Sequence, residues 1–165
     1  MKLDTDTSIV KNLVFIDGLG RSGKGMLSSI VPTLNNSESF QMAVFFEQIF
    51  ACLDVGSISQ ECAHALLAID LREMVYNQKL SRSVNFRYDD LTGVHNHYDP
   101  TIFYKRLNRI EGDSVIEEVK ESKMFYPYMT HNFAVHLNFL ESLNLDYKMV
   151  ELLRCPLDIA HSWWT

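Results

Sequence analysis

No stretch of the sequence approaches the roughly 20 apolar residues that a membrane-spanning helix requires. The first ten residues, MKLDTDTSIV, are polar and acidic and hold no signal-type apolar region, so the expectation is a cytoplasmic protein that engages no membrane. Cysteine is scarce. Cys52, Cys62 and Cys155 have no metal-type spacing, and each sits in an apolar run, which predicts buried free thiols in a reducing compartment rather than a disulfide framework. Repeats and low-complexity tracts are absent. Positive charge is in the minority, with 15 Lys and Arg against 21 Asp and Glu and a net charge of −6. That balance argues against a protein that coats nucleic acid or anionic lipid, so any anion site must be local.

What is present fits a single domain over residues 1–165, 47% hydrophobic and long enough to bury a core. Residues 13–17, LVFID, read as a buried strand that runs into a glycine-rich turn and then a helix from about Gly23 to Pro32 or the Asn35-Asn36 pair. Ser37 or Ser39 is a candidate cap for the next helix, in which Met42, Phe45, Phe46, Ile49, Phe50 and Leu53 recur at three- and four-residue steps. After Gly56, a helix over 57–79 places Ile58, Cys62, Ala65, Leu66 and Ile69 on one face. Residues 37–79 thus form a helical layer. Residues 81–100 lose all periodicity and read as a long surface loop, a candidate for substrate contacts. Short helices near 101–108 and 114–120, a strand over 123–130 despite Pro127, a helix over 132–143, a strand over 147–153 and a last helix opening at Pro156 complete the pattern. The fold class is α/β, a three-layer P-loop fold with a short parallel sheet flanked by helices.

Two segments carry chemistry. In VFIDGLGRSGKGM, Gly18, Gly20 and Gly23 free backbone N–H groups to turn on an anion, the following helix adds its N-terminal donors, and Arg21 and Lys24 add charge. A nucleoside-triphosphate loop of this kind places Ser or Thr after the lysine to hold magnesium, whereas here Gly25 follows Lys24. The second segment is RCPLDIAHSWW, Arg154 to Trp164. Its arginine at a strand end and its hydroxyl at Ser162, in the second turn of the next helix, can converge on one phosphate in the crevice at the carboxyl ends of parallel strands. The alternative is an arginine paired with Asp158 beside an incidental serine.

Together the two segments resemble the sulfotransferases that use 3′-phosphoadenosine 5′-phosphosulfate (PAPS). Arg21-Ser22-Gly23 matches the first three positions of that family's first loop, and Arg154, Pro156, Asp158, Ser162, Trp163 and Trp164 match its second motif. Thr130-His131 stands where the family has a Thr-His pair whose histidine is the catalytic base. The resemblance implies that Gly20, Ser22, Gly23, Lys24 and Gly25 cradle the 5′-phosphate and that Arg154 and Ser162 grip the 3′-phosphate. Arg21 and Lys24 would stabilise leaving-group charge, and His131 would take the acceptor's proton. It further implies PAPS as co-substrate with no metal required, and a small-molecule or glycan acceptor as partner. Two departures stand out: Lys24-Gly25 replaces paired hydroxyls, and the sequence stops at Thr165, whereas family members continue past the second motif. A small-molecule or nucleotide P-loop kinase and a non-catalytic, degenerate sulfotransferase-like binding protein are the alternatives.

Among the other histidines, His95 and His97 read as loop residues that could line an acceptor pocket or ligate a metal, and His64, His136 and His161 as surface or packing residues. Phe45-Phe46 and Trp163-Trp164 read first as core.

Overall fold

The computed structural model describes residues 5–110 and 112–164; the first four residues of the acidic N-terminal stretch, and Thr165, lie outside them. It is a mixed α/β fold built on a four-stranded, all-parallel sheet of β1 (Leu13–Asp17), β2 (Gln41–Met42), β3 (Tyr126–Met129) and β4 (Tyr147–Glu151), in the order β2-β3-β1-β4. Helices α1 (Lys24–Ile30), α2 (Val44–Asp54), α3 (Gln60–Lys79), α4 (Thr101–Arg106), α5 (Asp113–Glu121), α6 (Leu137–Ser142) and α7 (Pro156–Trp164) connect and cover it. None is long and apolar enough to cross a membrane.

The core lies on one face of the sheet. Leu13 and Phe15 of β1 and Tyr126 and Tyr128 of β3 meet Phe46, Ile49 and Phe50 of α2 and Leu67, Leu71 and Val75 of α3. Phe133 fills the centre, its ring 4.7 Å from Phe15 and 5.1 Å from Phe50. Each such side chain contributes roughly 1.5–3 kcal/mol on burial. On the opposite face α1 and the 3₁₀ turn after it cover only part of the sheet: Leu27, Val31 and Leu34 stand over Val14 and Ile16 along an open cavity of about 460 Å³. A buried ion cluster ties α3 and α4 to the segment that precedes β2. The Glu38 carboxylate accepts from Arg106 at 2.8 and 2.9 Å and lies 2.8 Å from Lys79.

Several expectations are corrected. Neither Ser37 nor Ser39 caps α2; Ser37 bridges to Phe125, Ser39 is buried, and Gln41 and Met42 pair with Tyr128 and Met129, so the helix starts only at Val44. Pairing at the sheet edge outweighed the local capping signal. The buried stripe of α3 runs Ala63, Leu67, Leu71, Val75, and Ile69 faces out; Ser59 caps this helix, its hydroxyl accepting from the Cys62 amide. The 132–143 helix divides into a 3₁₀ turn (Phe133–His136) and α6. Cys52 and Cys155 are exposed and Cys62 is partly buried, so the thiols are free but not core. Phe46 is fully buried, whereas Phe45, Trp163 and Trp164 are 43%, 70% and 92% exposed. Pro127 is tolerated in an inner strand: Tyr126 and Thr130 donate to β1, so the missing amide of Pro127 points toward the short strand β2.

Candidate functional site

The glycine loop begins where three strands converge. Asp17, buried at the end of β1, accepts from the Thr130 hydroxyl at 2.8 Å and from the Ala134 amide at 2.9 Å, and its own carbonyl accepts from the Leu152 amide at 3.0 Å. The ends of β1, β3 and β4 are thereby locked together. Gly18 follows with φ of +131°, and a Cβ there would lie 2.5 Å from the Leu152 carbonyl oxygen, so only glycine fits. Gly23, at φ of +107°, turns the chain into α1.

Lys24 is buried and folds back over the loop, its Nζ donating to the carbonyls of Gly18 and Leu19. Burial holds its pKa below the ordinary lysine value, against the opposing pull of Asp17, Glu47 and Glu151. The Ser22 hydroxyl is buried within the loop without a hydrogen-bond partner among the described residues. Above Gly23 and Gly25 the backbone is open, with no atom within 4 Å of where a Cβ would stand.

The second segment closes on the first. Arg21 donates from Nε to the Ser162 hydroxyl at 3.0 Å and from Nη2 to the Ser162 carbonyl at 2.7 Å, while Arg154 donates from Nη1 to the Arg21 carbonyl at 3.0 Å. The Trp163 ring lies over Gly20, 3.2 Å from a Cβ position there. Arg154, Ser162 and Arg21 thus form one cluster, with Arg21 placed between the other two rather than at a separate end of the loop.

His131 stands just past β3, and its Nδ1 lies 2.5 Å from a carboxylate oxygen of Glu47 in the first turn of α2. Because the carboxylate accepts, Nδ1 carries a proton, and in the neutral ring the free lone pair is on Nε2. Sequence reasoning missed Glu47; the signal was a lone carboxylate in the apolar run VFFEQIF. A cavity of about 470 Å³ has Arg21, Lys24, Leu91, Met129, His131 and Ser162 among its walls; Arg154 and Ser22 are not on its lining. The arrangement can hold an anion against two cations and a set of backbone amides, and can take a proton beside it.

The remaining candidates lie elsewhere. His97 is buried, its Nε2 2.7 Å from the Ser37 carbonyl, and anchors the 81–100 loop. His95 stacks on Tyr88, His136 on Phe50, and His64 packs beside Phe139. Among the described residues no group of three or more His, Cys, Asp or Glu side chains is placed to hold a metal ion. Compared with known proteins, the chain matches no family model, no curated protein and no solved structure.

Proposed function

We propose that the chain is a PAPS-dependent sulfotransferase, or a shortened relative of one, transferring a sulfuryl group to a hydroxyl or amine acceptor. The observation that carries this reading is the His131–Glu47 pair: a histidine held 2.5 Å from a carboxylate opens on the same cavity as Arg21, Lys24 and Ser162. Such a pair would serve as a general base beside a cationic anion site. PAPS would supply a sulfuryl group bonded to phosphate. The loop leaves room for such a ligand, since the backbone above Gly23 and Gly25 is open.

Gly20, Ser22, Gly23, Lys24 and Gly25 would hold the 5′-phosphate, and Arg154 and Ser162 the 3′-phosphate. Arg21 and Lys24 would stabilise charge on the leaving phosphate. Both cations already have internal acceptors, Ser162 for Arg21 and the loop carbonyls for Lys24. Binding therefore exchanges hydrogen bonds rather than adding them, which favours modest affinity. Donating its Nδ1 proton in a hydrogen bond to Glu47, a neutral His131 would offer Nε2 to the acceptor's hydroxyl or amine, and the carboxylate would steady the imidazolium that forms.

Thermal denaturation with nucleotides tests the reading. Adenosine 3′,5′-bisphosphate should stabilise the protein without magnesium, and ADP much less; at about a hundred times the dissociation constant the gain is roughly 2.7 kcal/mol, several degrees in Tm. A shift that needs ATP with magnesium, and none with the bisphosphate, assigns the site to a kinase instead.

A further inference from the structure

A second cavity, of about 400 Å³, lies at the carboxyl end of β2, next to the first across the β2–β3 pairing. Met42, on its lining, is the register partner of Met129, which lines the loop cavity, and the Ala43 amide donates to the Met129 carbonyl at 3.0 Å. On the loop side Thr92 borders the second cavity and its neighbour Leu91 the first. One turn of α2 separates Val44, on this lining, from Glu47, which holds His131.

The two cavities carry opposite charge. Arg21 and Lys24 line the first, whereas Asp70 is the one charged residue among the described residues that line the second. Around it stand Phe40, Phe45 and Met74, an apolar wall long enough for a short hydrocarbon stem. Burial, together with the neighbouring Glu73 carboxylate, pushes the Asp70 carboxyl up to about 6. It is still an anion at neutral pH, in surroundings that disfavour that charge. A cation laid against it would relieve the cost.

Resting on the sulfotransferase reading, we propose that this cavity is the acceptor subsite and that it takes an amphipathic alcohol bearing a protonated amine. The ammonium group lies against Asp70, the apolar stem runs along Phe45 and Met74, and the hydroxyl reaches over the Met42–Met129 wall toward His131. In the transfer the acceptor oxygen loses its proton to His131 Nε2 and bonds to sulfur, while the sulfur–phosphate oxygen bond breaks and its electron pair leaves with adenosine 3′,5′-bisphosphate. The opposite charges of the cavities also sort the substrates, because the polyanionic donor is repelled from Asp70 and the cationic acceptor from Arg21 and Lys24.

A charge series of one length tests the proposal: 6-aminohexan-1-ol, heptan-1-ol and 6-hydroxyhexanoate, titrated against the full chain with and without saturating adenosine 3′,5′-bisphosphate. The amine should bind about ten- to a hundred-fold tighter than the neutral alcohol, the range of a charge-assisted hydrogen bond, and the carboxylate weakest. Bound bisphosphate should leave amine binding in place. Asp70→Asn should bring amine and alcohol within about twofold without changing bisphosphate affinity. Equal binding of amine and alcohol by the unmodified chain, which requires no variant to fold, overturns the proposal, as does competition between amine and bisphosphate. If the bisphosphate itself fails to bind while the amine preference stands, the sulfotransferase reading falls, and the acceptor assignment falls with it.

Discussion

Arg21, in the loop after β1, donates to the hydroxyl of Ser162 on the last helix at 3.0 Å, a contact between residues 141 positions apart. It makes the glycine loop and the C-terminal motif one structure. The proposed 3′-phosphate contacts can therefore be tested directly. Arg154→Ala should weaken adenosine 3′,5′-bisphosphate about ten- to a hundred-fold and Ser162→Ala by less, with little effect on adenosine 5′-phosphosulfate, which has no 3′-phosphate. Calorimetric titration decides the matter. Equal losses for both ligands would remove the two residues from 3′-phosphate recognition.

His131→Ala should lower turnover by about a hundred- to ten-thousand-fold and leave bisphosphate affinity nearly unchanged. In the proposed reaction Glu47 would act on the acceptor only through the histidine it touches. Glu47→Gln should accordingly reduce kcat with KM unchanged, and the double mutant should be no slower than His131→Ala alone, because the two residues act as a unit. Additive losses in steady-state kinetics would show that Glu47 has a separate, structural task.

Two glycines of the loop should respond in opposite directions. Gly18→Ala drives a Cβ to 2.5 Å from the Leu152 carbonyl at φ of +131° and should cost about 1–3 kcal/mol or more. Gly25 lies within α1 with no atom within 4 Å of the Cβ position, so Gly25→Ala should stabilise by about 0.5–1 kcal/mol. Urea denaturation of the two variants gives both signs in one experiment.

Two carboxyls should give stability opposite pH dependences. Burial alone would raise the Glu38 pKa, but the hydrogen bond and charge of Arg106, with Lys79, outweigh it and hold the group below its ordinary 4.5. Its contribution is therefore present above pH 4.5 and is lost as pH falls through the depressed value. Glu38→Gln should cost about 3–5 kcal/mol at pH 7, since it leaves Arg106 and Lys79 buried without their counter-charge.

Asp70 has the reverse sign. Its carboxyl is raised from 3.8 to about 6, so its contribution is fully present below pH 3.8 and lost as pH rises through 6. Asp70→Asn should stabilise the protein at pH 8 by about 1 kcal/mol, a figure reduced for solvent screening of this half-exposed group, and the gain should vanish near pH 4. Melting curves at the two pH values measure it.

Much of the fold could be read along the chain because it depends on near neighbours. β1 falls at 13–17 as its apolar run predicts, α3 ends at Lys79, and α7 opens at Pro156, since strand runs, glycine turns and Pro at a helix start act within a few residues. Tertiary contacts decided the rest. β2 exists because Gln41 and Met42 lie beside β3, and α3 turned its Ala63–Val75 stripe inward because α2 and the sheet meet it there. Trp163 and Trp164, apolar by composition, stay exposed on α7, which buries none of its described residues. At the candidate site the sequence by itself set out a glycine loop with two cations, a Thr-His pair and an Arg-to-Ser motif. Their meeting, Glu47 against His131 across 84 residues and Arg21 against Ser162 across 141, was a matter for the assembled fold. Local periodicity determines which way a segment bends, whereas the partner of a polar side chain is chosen by whichever distant residue the packed core brings within hydrogen-bond reach.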